Sequence, residues 1–160
     1  AALHEAGFAR LDLGALGRDG VAVEALRRLV RLLAGRPFPP AGAAAAALLA
    51  RGEGTLAGVR LRRDGLLLRE AAAIGPEVPA RQGAVWDGRF RLAGPGDPDC
   101  RIGALGAEAA GLPRPGWMPA AVARTLPAVR RNMVLVAVPA LAYPDPERAQ
   151  GFRLVLLPPP

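Results

Sequence analysis

Lysine and serine are absent from this 160-residue chain, so all 21 basic side chains are arginine, set against 14 carboxylates. Asparagine occurs once (Asn132), threonine twice (Thr55, Thr125), histidine once (His4) and cysteine once (Cys100). These gaps exclude whole chemistries. A phosphate-loop ATPase needs a lysine, and a serine triad needs a serine. Schiff-base catalysis also needs a lysine. A structural zinc site takes four Cys or His ligands, and only two such residues exist here. One cysteine forms no internal disulfide. The longest apolar runs, 43–50 and 133–142, fall short of the roughly 20 residues that cross a bilayer. No membrane partner is expected, and the cytoplasm is the expected location.

What is present is arginine and apolar bulk. Apolar residues make up 51% of the chain, enough for a packed core, and the net charge is +7. Part of the arginine excess is the drift of GC-rich coding. The positive balance survives that correction and favours an anionic partner. The chain opens at Ala1, as a fragment of a longer protein is expected to, and closes on Pro158-Pro159-Pro160, either a cut linker or a natural end.

Apolar residues at Val23, Leu26, Leu29, Val30 and Leu33 predict a helix over 21–34, stopped by Gly35 and Pro37. A second helix follows Pro39-Pro40 and runs through the alanines to about Arg51, making a helical hairpin. The stretch 7–13 reads as a short strand. From Gly52 the pattern alternates. Two Asp-Gly pairs signal β-hairpins: Asp64-Gly65 joins 55–62 to 66–70, and Asp87-Gly88 joins 85–86 to 89–92. Further strands are expected at 101–105, and, as buried ones, at 133–138 and 152–157. Short helices are expected near 107–110 and after Pro119, and the stretch 94–99 reads as a turn-rich loop. The fold class is α+β. An N-terminal helical linker (1–52) precedes a small mixed domain (53–160).

No complete catalytic site emerges. Asp64, Asp87, Asp97 and Asp99 sit in turns, where the side chain bonds its own backbone. Arginine placement says more. A two-residue turn at Asp64-Gly65 pairs Arg63 with Leu66 and sets Arg60 opposite Arg69, with Arg62 on the same side. Like charges across a hairpin repel. Either a nearby carboxylate relieves them, or that face expects an anion. In the second hairpin Arg89 and Arg91 alternate with Phe90 and Leu92, and Trp86 falls opposite Arg89. That is either a cation–π pair or a stacking platform for RNA. On the first helix, Arg27, Arg28 and Arg31 form either a phosphate-binding face or ordinary surface pairs with Glu24.

An ordered series of segments carries a resemblance. It begins with the turn Gly35-Arg36-Pro37-Phe38-Pro39-Pro40 after the arginine-rich helix. Gly54-Thr55-Leu56-Ala57-Gly58 and Arg63-Asp64-Gly65 with Leu66-Leu67-Leu68-Arg69-Glu70 come next. Val85-Trp86-Asp87-Gly88-Arg89-Phe90, Ile102-Gly103-Ala104-Leu105-Gly106, Leu126-Pro127-Ala128-Val129 and Leu135-Val136-Ala137-Val138-Pro139 complete it. Taken in order over nearly the whole chain, they resemble the C-terminal half of bacterial tRNA(Ile)-lysidine synthase. The resemblance implies a ligase that adenylates an anticodon cytidine with ATP and Mg²⁺, then attaches lysine and releases AMP. The Ser-Gly-Gly-x-Asp-Ser nucleotide loop of that family lies in an upstream catalytic domain. A chain without serine cannot contain it. The implied role here is therefore to hold tRNA(Ile), with no cofactor of its own and a homodimer left open. The segment Pro119 to Pro127 looks like the family's Pro…Arg…Pro stretch and adds Arg124 to the candidate RNA contacts. Arg130 and Arg131 stand where the family has acidic residues. The alternative is a basic, non-catalytic module that binds an acidic protein.

Overall fold

The computed structural model describes residues 1–157, which divide into two compact units, 1–73 and 74–157. The chain is mixed α+β, and the strand pairings of the described residues are antiparallel.

The first unit runs β1 (Ala2–His4), β2 (Phe8–Arg10), α1 (Leu13–Leu16), α2 (Gly20–Ala34), α3 (Gly42–Arg51), β3 (Gly54–Leu56), β4 (Val59–Leu61) and β5 (Leu66–Arg69). Its five strands form one sheet in the order β1-β2-β5-β4-β3. Asp19 starts α2 by accepting the Ala22 N–H at 2.9 Å. At the other end the Gly35 and Arg36 N–H groups donate to the Leu32 and Arg31 carbonyls, closing the helix as a Schellman turn. The expected apolar stripe is the buried one. Leu26, Val30 and Leu33 of α2 pack with Ala45 and Leu48 of α3 against Val59, Leu61 and Leu67 of the sheet. Burying each leucine contributes about 1.5–3 kcal/mol.

The first hairpin forms where expected, in a different register. Its loop has three residues, Arg63, Asp64 and Gly65. The Arg62 N–H donates to the Leu66 carbonyl and the Gly65 N–H to the Arg62 carbonyl, both at 2.9 Å. Gly65 closes the loop at φ +79°, the left-handed position of a three-residue turn. Its carbonyl accepts the Leu11 N–H at 2.8 Å. Pairing therefore runs Arg60 with Leu68, Leu61 with Leu67, and Val59 with Arg69. A one-residue slip moves every side chain to the other face. The expected opposition of Arg60 to Arg69 is accordingly corrected: those two arginines lie on opposite faces of the sheet.

The second unit runs β6 (Val78–Arg81), β7 (Val85–Trp86), β8 (Phe90–Leu92), β9 (Gly96–Ala104), α4 (Ala120–Ala123), β10 (Pro127–Arg131), β11 (Val134–Ala137), α5 (Pro146–Gly151) and β12 (Leu154–Leu156). It holds a four-stranded sheet, β11-β10-β9-β6, and a three-stranded one, β12-β8-β7. Trp86, Phe90 and Leu92 of the smaller sheet pack with Cys100, Ile102, Val129 and Ala137 of the larger. The Asp87-Gly88 turn forms with both residues at positive φ and is closed by the Arg89 N–H on the Trp86 carbonyl. Pairing then resumes at Trp86 with Phe90, so Arg89 is not across from Trp86 as expected.

Four further expectations are corrected. Residues 96–99 belong to β9, because the strand absorbs its turn residues in a register shift opposite Pro79 and Ala80. The strand expected buried over 133–138 is an edge strand whose start is exposed, with Met133 at 91% and Val134 at 67%. In β12, Val155 is exposed as well. The break expected at 52/53 lies after Ala73, because β3, β4 and β5 complete the sheet that α2 and α3 cover. Among the described residues, no helix is long and apolar enough to cross a membrane.

Gly65 and Gly83 share φ +79°, but a Cβ at 65 would meet the Leu11 carbonyl at 1.9 Å, whereas a Cβ at 83 meets nothing within 4 Å. Gly83→Ala should cost about 1–2 kcal/mol, the left-handed penalty alone. Gly65→Ala should cost clearly more, because the β2–β5 end must also move. Urea denaturation of the two variants checks this. Equal losses would show that Leu11 does not fix the loop.

Candidate functional site

A basic groove of about 850 Å³ lies at one end of the first unit's sheet. Three pieces of chain build it. The last residue of α3 supplies Arg51, the turn into β3 supplies Glu53, Gly54 and Thr55, and β4 with its loop supplies Arg60 to Asp64. The helix ends at Arg51 because Gly52 takes φ +69° and donates its N–H to the Leu48 and Leu49 carbonyls. Gly54, at φ +137°, leaves room for Arg51: a Cβ there would lie 3.4 Å from the Arg51 Nη2 and 3.1 Å from the Leu48 Cδ1. Arg60 stands across the strand pair from Thr55.

Four guanidinium groups and two carboxylates line this groove, leaving a local charge of +2. Two of the arginines are compensated. Arg63 donates to Glu53 at 2.7 Å, and Arg62 meets Asp64 at 3.1 Å. The Arg63 hydrogen bond and charge hold the Glu53 carboxyl below its ordinary value, and the Arg60 charge adds to this. Glu53 in turn raises Arg63. A carboxyl lowered in this way supports the fold above its unfolded pKa. It loses that contribution as pH falls through the folded value, below the usual carboxylate range. Among the described residues, Arg51 and Arg60 form no ion pair within 4 Å, and the Arg60 charge acts on Glu53 from further away. The groove thus unites the expected Arg60 and Arg62 with Arg51 and Arg63, which the sequence reading passed over as a helix end and a turn neighbour. An arginine on a last helical turn, followed at once by Gly-Glu-Gly and a hairpin, was the signal.

The α2 arginines are mostly committed elsewhere. Arg27 donates to Glu24 at 2.7 Å and to the Pro40 carbonyl at 2.8 Å, tying the helical hairpin together. Arg28 donates to the same Glu24 at 3.0 Å. Arg31 is half-buried. In the second unit, Arg91 is exposed on β8 between Val85 and Val155. Arg124 is exposed at the end of α4.

Two expected contacts are corrected outright. Arg69 is 7% exposed and donates to the Gly58 carbonyl at 3.1 Å and to the Ala73 carbonyl. Arg89 is fully buried. Its Nε donates to Asp87 at 2.6 Å and its Nη2 to the Thr125 carbonyl at 3.3 Å. Its guanidinium lies 5.0 Å from the Phe90 ring centroid and 5.6 Å from that of Trp86. Of the two readings weighed for the second hairpin, the cation–π pair is the one present. Asp87 is 2% exposed and also accepts the Gly75 N–H. Neither Arg69 nor Arg89 presents its charge to a phosphate.

No protein-family model, curated protein or solved structure matches the chain.

Removing one partner of a buried ion pair leaves the other charge uncompensated, at a cost of about 3–5 kcal/mol. Arg89→Ala should lose that much in urea denaturation, while Arg28→Ala should change stability little. A near-neutral Arg89→Ala would contradict the structural role assigned to Arg89.

Proposed function

We propose that this chain is the tRNA-positioning C-terminal part of a tRNA(Ile)-lysidine synthase. On this reading ATP, Mg²⁺ and lysine are handled by an upstream catalytic domain of the same protein. The chain acts in the cytoplasm on tRNA(Ile). The observation that carries the proposal is the groove around Arg51 and Arg60, whose lining has a net charge of +2 and two guanidinium groups outside its ion pairs. Four of its lining residues, Gly54, Thr55, Arg63 and Asp64, fall in two members of the ordered series described above, whereas Arg51 and Arg60 lie outside them. Phosphate contacts fix where a nucleic acid lies without reading its bases. An appended module needs only that ability, because the chemistry is done elsewhere.

Binding of tRNA to the 160-residue chain should be weak and strongly salt-dependent. If the two groove arginines meet phosphate, affinity should drop roughly tenfold between 50 and 200 mM salt. Arg60→Thr should weaken binding and flatten the log–log slope by about one phosphate's worth. Its stability should stay near wild type, since Arg60 is exposed and stands opposite Leu68. Affinity for tRNA that ignores salt would overturn the proposal. Capture of an acidic peptide with no RNA binding would favour the protein-interaction alternative.

A further inference from the structure

One aromatic ring of the first unit stands outside its core. Phe38 is 79% exposed, and among the described residues no other large apolar side chain from 22 to 73 is exposed. Its loop joins α2 to α3. The neighbouring residues hold the ring there. Pro37 fixes its own φ, and Pro39 disfavours helical backbone at Phe38, so little freedom is left for a ligand to freeze. The Arg36 N–H donates to the Arg31 carbonyl at 3.1 Å and the Arg27 Nε to the Pro40 carbonyl at 2.8 Å, pinning the loop at both ends. No carboxylate occurs between Glu24 and Glu53, a stretch that carries five arginines. Glu24 balances Arg27 and Arg28, whereas Arg31 and Arg36 lie outside the ion pairs of the described residues.

We infer that Phe38 stacks on an unpaired base of a bound RNA. The inference rests on the RNA reading above for the ligand and on this loop for the mode of contact. Every base has a flat face, and an aromatic side chain in the open is the usual platform for one. No carboxylate of the loop repels the phosphates on either side of that base. A protein partner fits less well. A stable protein interface covers about 800 Å² on each side around an apolar core. One ring without a second large exposed apolar side chain supplies no such core. A groove for proline-rich segments needs its prolines in the open. Pro39 and Pro40 are half-buried, and the Pro40 carbonyl is already taken by Arg27. The ten residues of α3 put the loop about 15 Å from the groove end at Arg51, within the reach of one short strand.

The test uses the full 160-residue chain at low salt with a 12-nucleotide oligouridine and an abasic 12-mer of the same backbone charge. Any gap in affinity between the two reports the bases. Oligouridine should bind about fivefold more tightly, the low end of base–aromatic stacking. Phe38→Ala should close that gap and leave the salt slope unchanged, because it removes no charge. Phe38→Leu should close most of it, since leucine keeps apolar bulk without a flat face, whereas Phe38→Trp should keep it. Arg60→Thr should weaken both oligomers and preserve the gap. The ring and Arg60 are exposed, so all four variants should melt near wild type, and a lost gap is then not a lost fold. Equal affinity of the wild type for the two oligomers would overturn the inference. If both then bound in a salt-dependent way, the tRNA-positioning reading would stand without it. A gap that survives Phe38→Ala would put the base contact elsewhere and overturn the inference too. So would full oligouridine affinity in Phe38→Leu, which marks an apolar contact in place of stacking. Binding of neither oligomer would also overturn it, and the salt dependence of tRNA binding would then decide the positioning reading by itself.

Discussion

The register of the first unit hangs on a single backbone contact, the Leu11 N–H on the carbonyl of Gly65. Gly65 can hold its left-handed conformation and lie against Leu11 only because it has no side chain. The three-residue loop is closed by the Arg62 N–H on the Leu66 carbonyl and the Gly65 N–H on the Arg62 carbonyl, and the Leu11 contact holds it against the end of β2. The longer loop turns Val59, Leu61 and Leu67 toward α2 and α3 and sends Arg60 outward. With the shorter loop, β5 would present its opposite set of side chains to the core. The groove, the core and the charge pattern are therefore consequences of one turn.

A chain without lysine must assign all its cationic tasks to arginine, and the structure separates those tasks by burial. Arg69 and Arg89 are inside, where a planar guanidinium can satisfy several acceptors at once. Arg69 ties Gly58 to Ala73, and Arg89 links the Asp87 turn to Thr125 beneath two aromatic rings. Arg27, Arg28, Arg62 and Arg63 are balanced by nearby carboxylates. Arg51 and Arg60 are left over in the groove, while Arg10, Arg18, Arg36, Arg91 and Arg124 are exposed elsewhere and likewise outside the ion pairs of the described residues. Counting arginines overstates the charge open to a partner.

Much of this was legible in the sequence, for identifiable reasons. The helices α2 and α3 announced themselves by an apolar stripe and by Gly35 and Gly52 at their ends. The α+β class followed from the change to alternation after Gly52. The hairpins were legible as hairpins but not in register, because Asp-Gly serves both two- and three-residue loops and the deciding partner, Leu11, is remote in sequence. Strands β6 and β10 were missed because each carries a proline, Pro79 or Pro127, that argues against a strand. The burial of Arg89 was missed because its partner Asp87 had been explained by the turn. Asp87 and Arg89 flanked by Trp86 and Phe90 was the available sign of an internal ion pair against rings.

The central claim is that the charge left over in the groove, and not arginine in general, meets the nucleic acid. Arginine side-chain NMR, observing each Nε–Hε signal during a tRNA titration at low salt, tests it most directly. The account predicts that the Arg51 and Arg60 signals shift first and most, while those of Arg69 and Arg89 stay in place because both are enclosed by protein. Large shifts at Arg27 and Arg28 with Arg51 and Arg60 unmoved would contradict it.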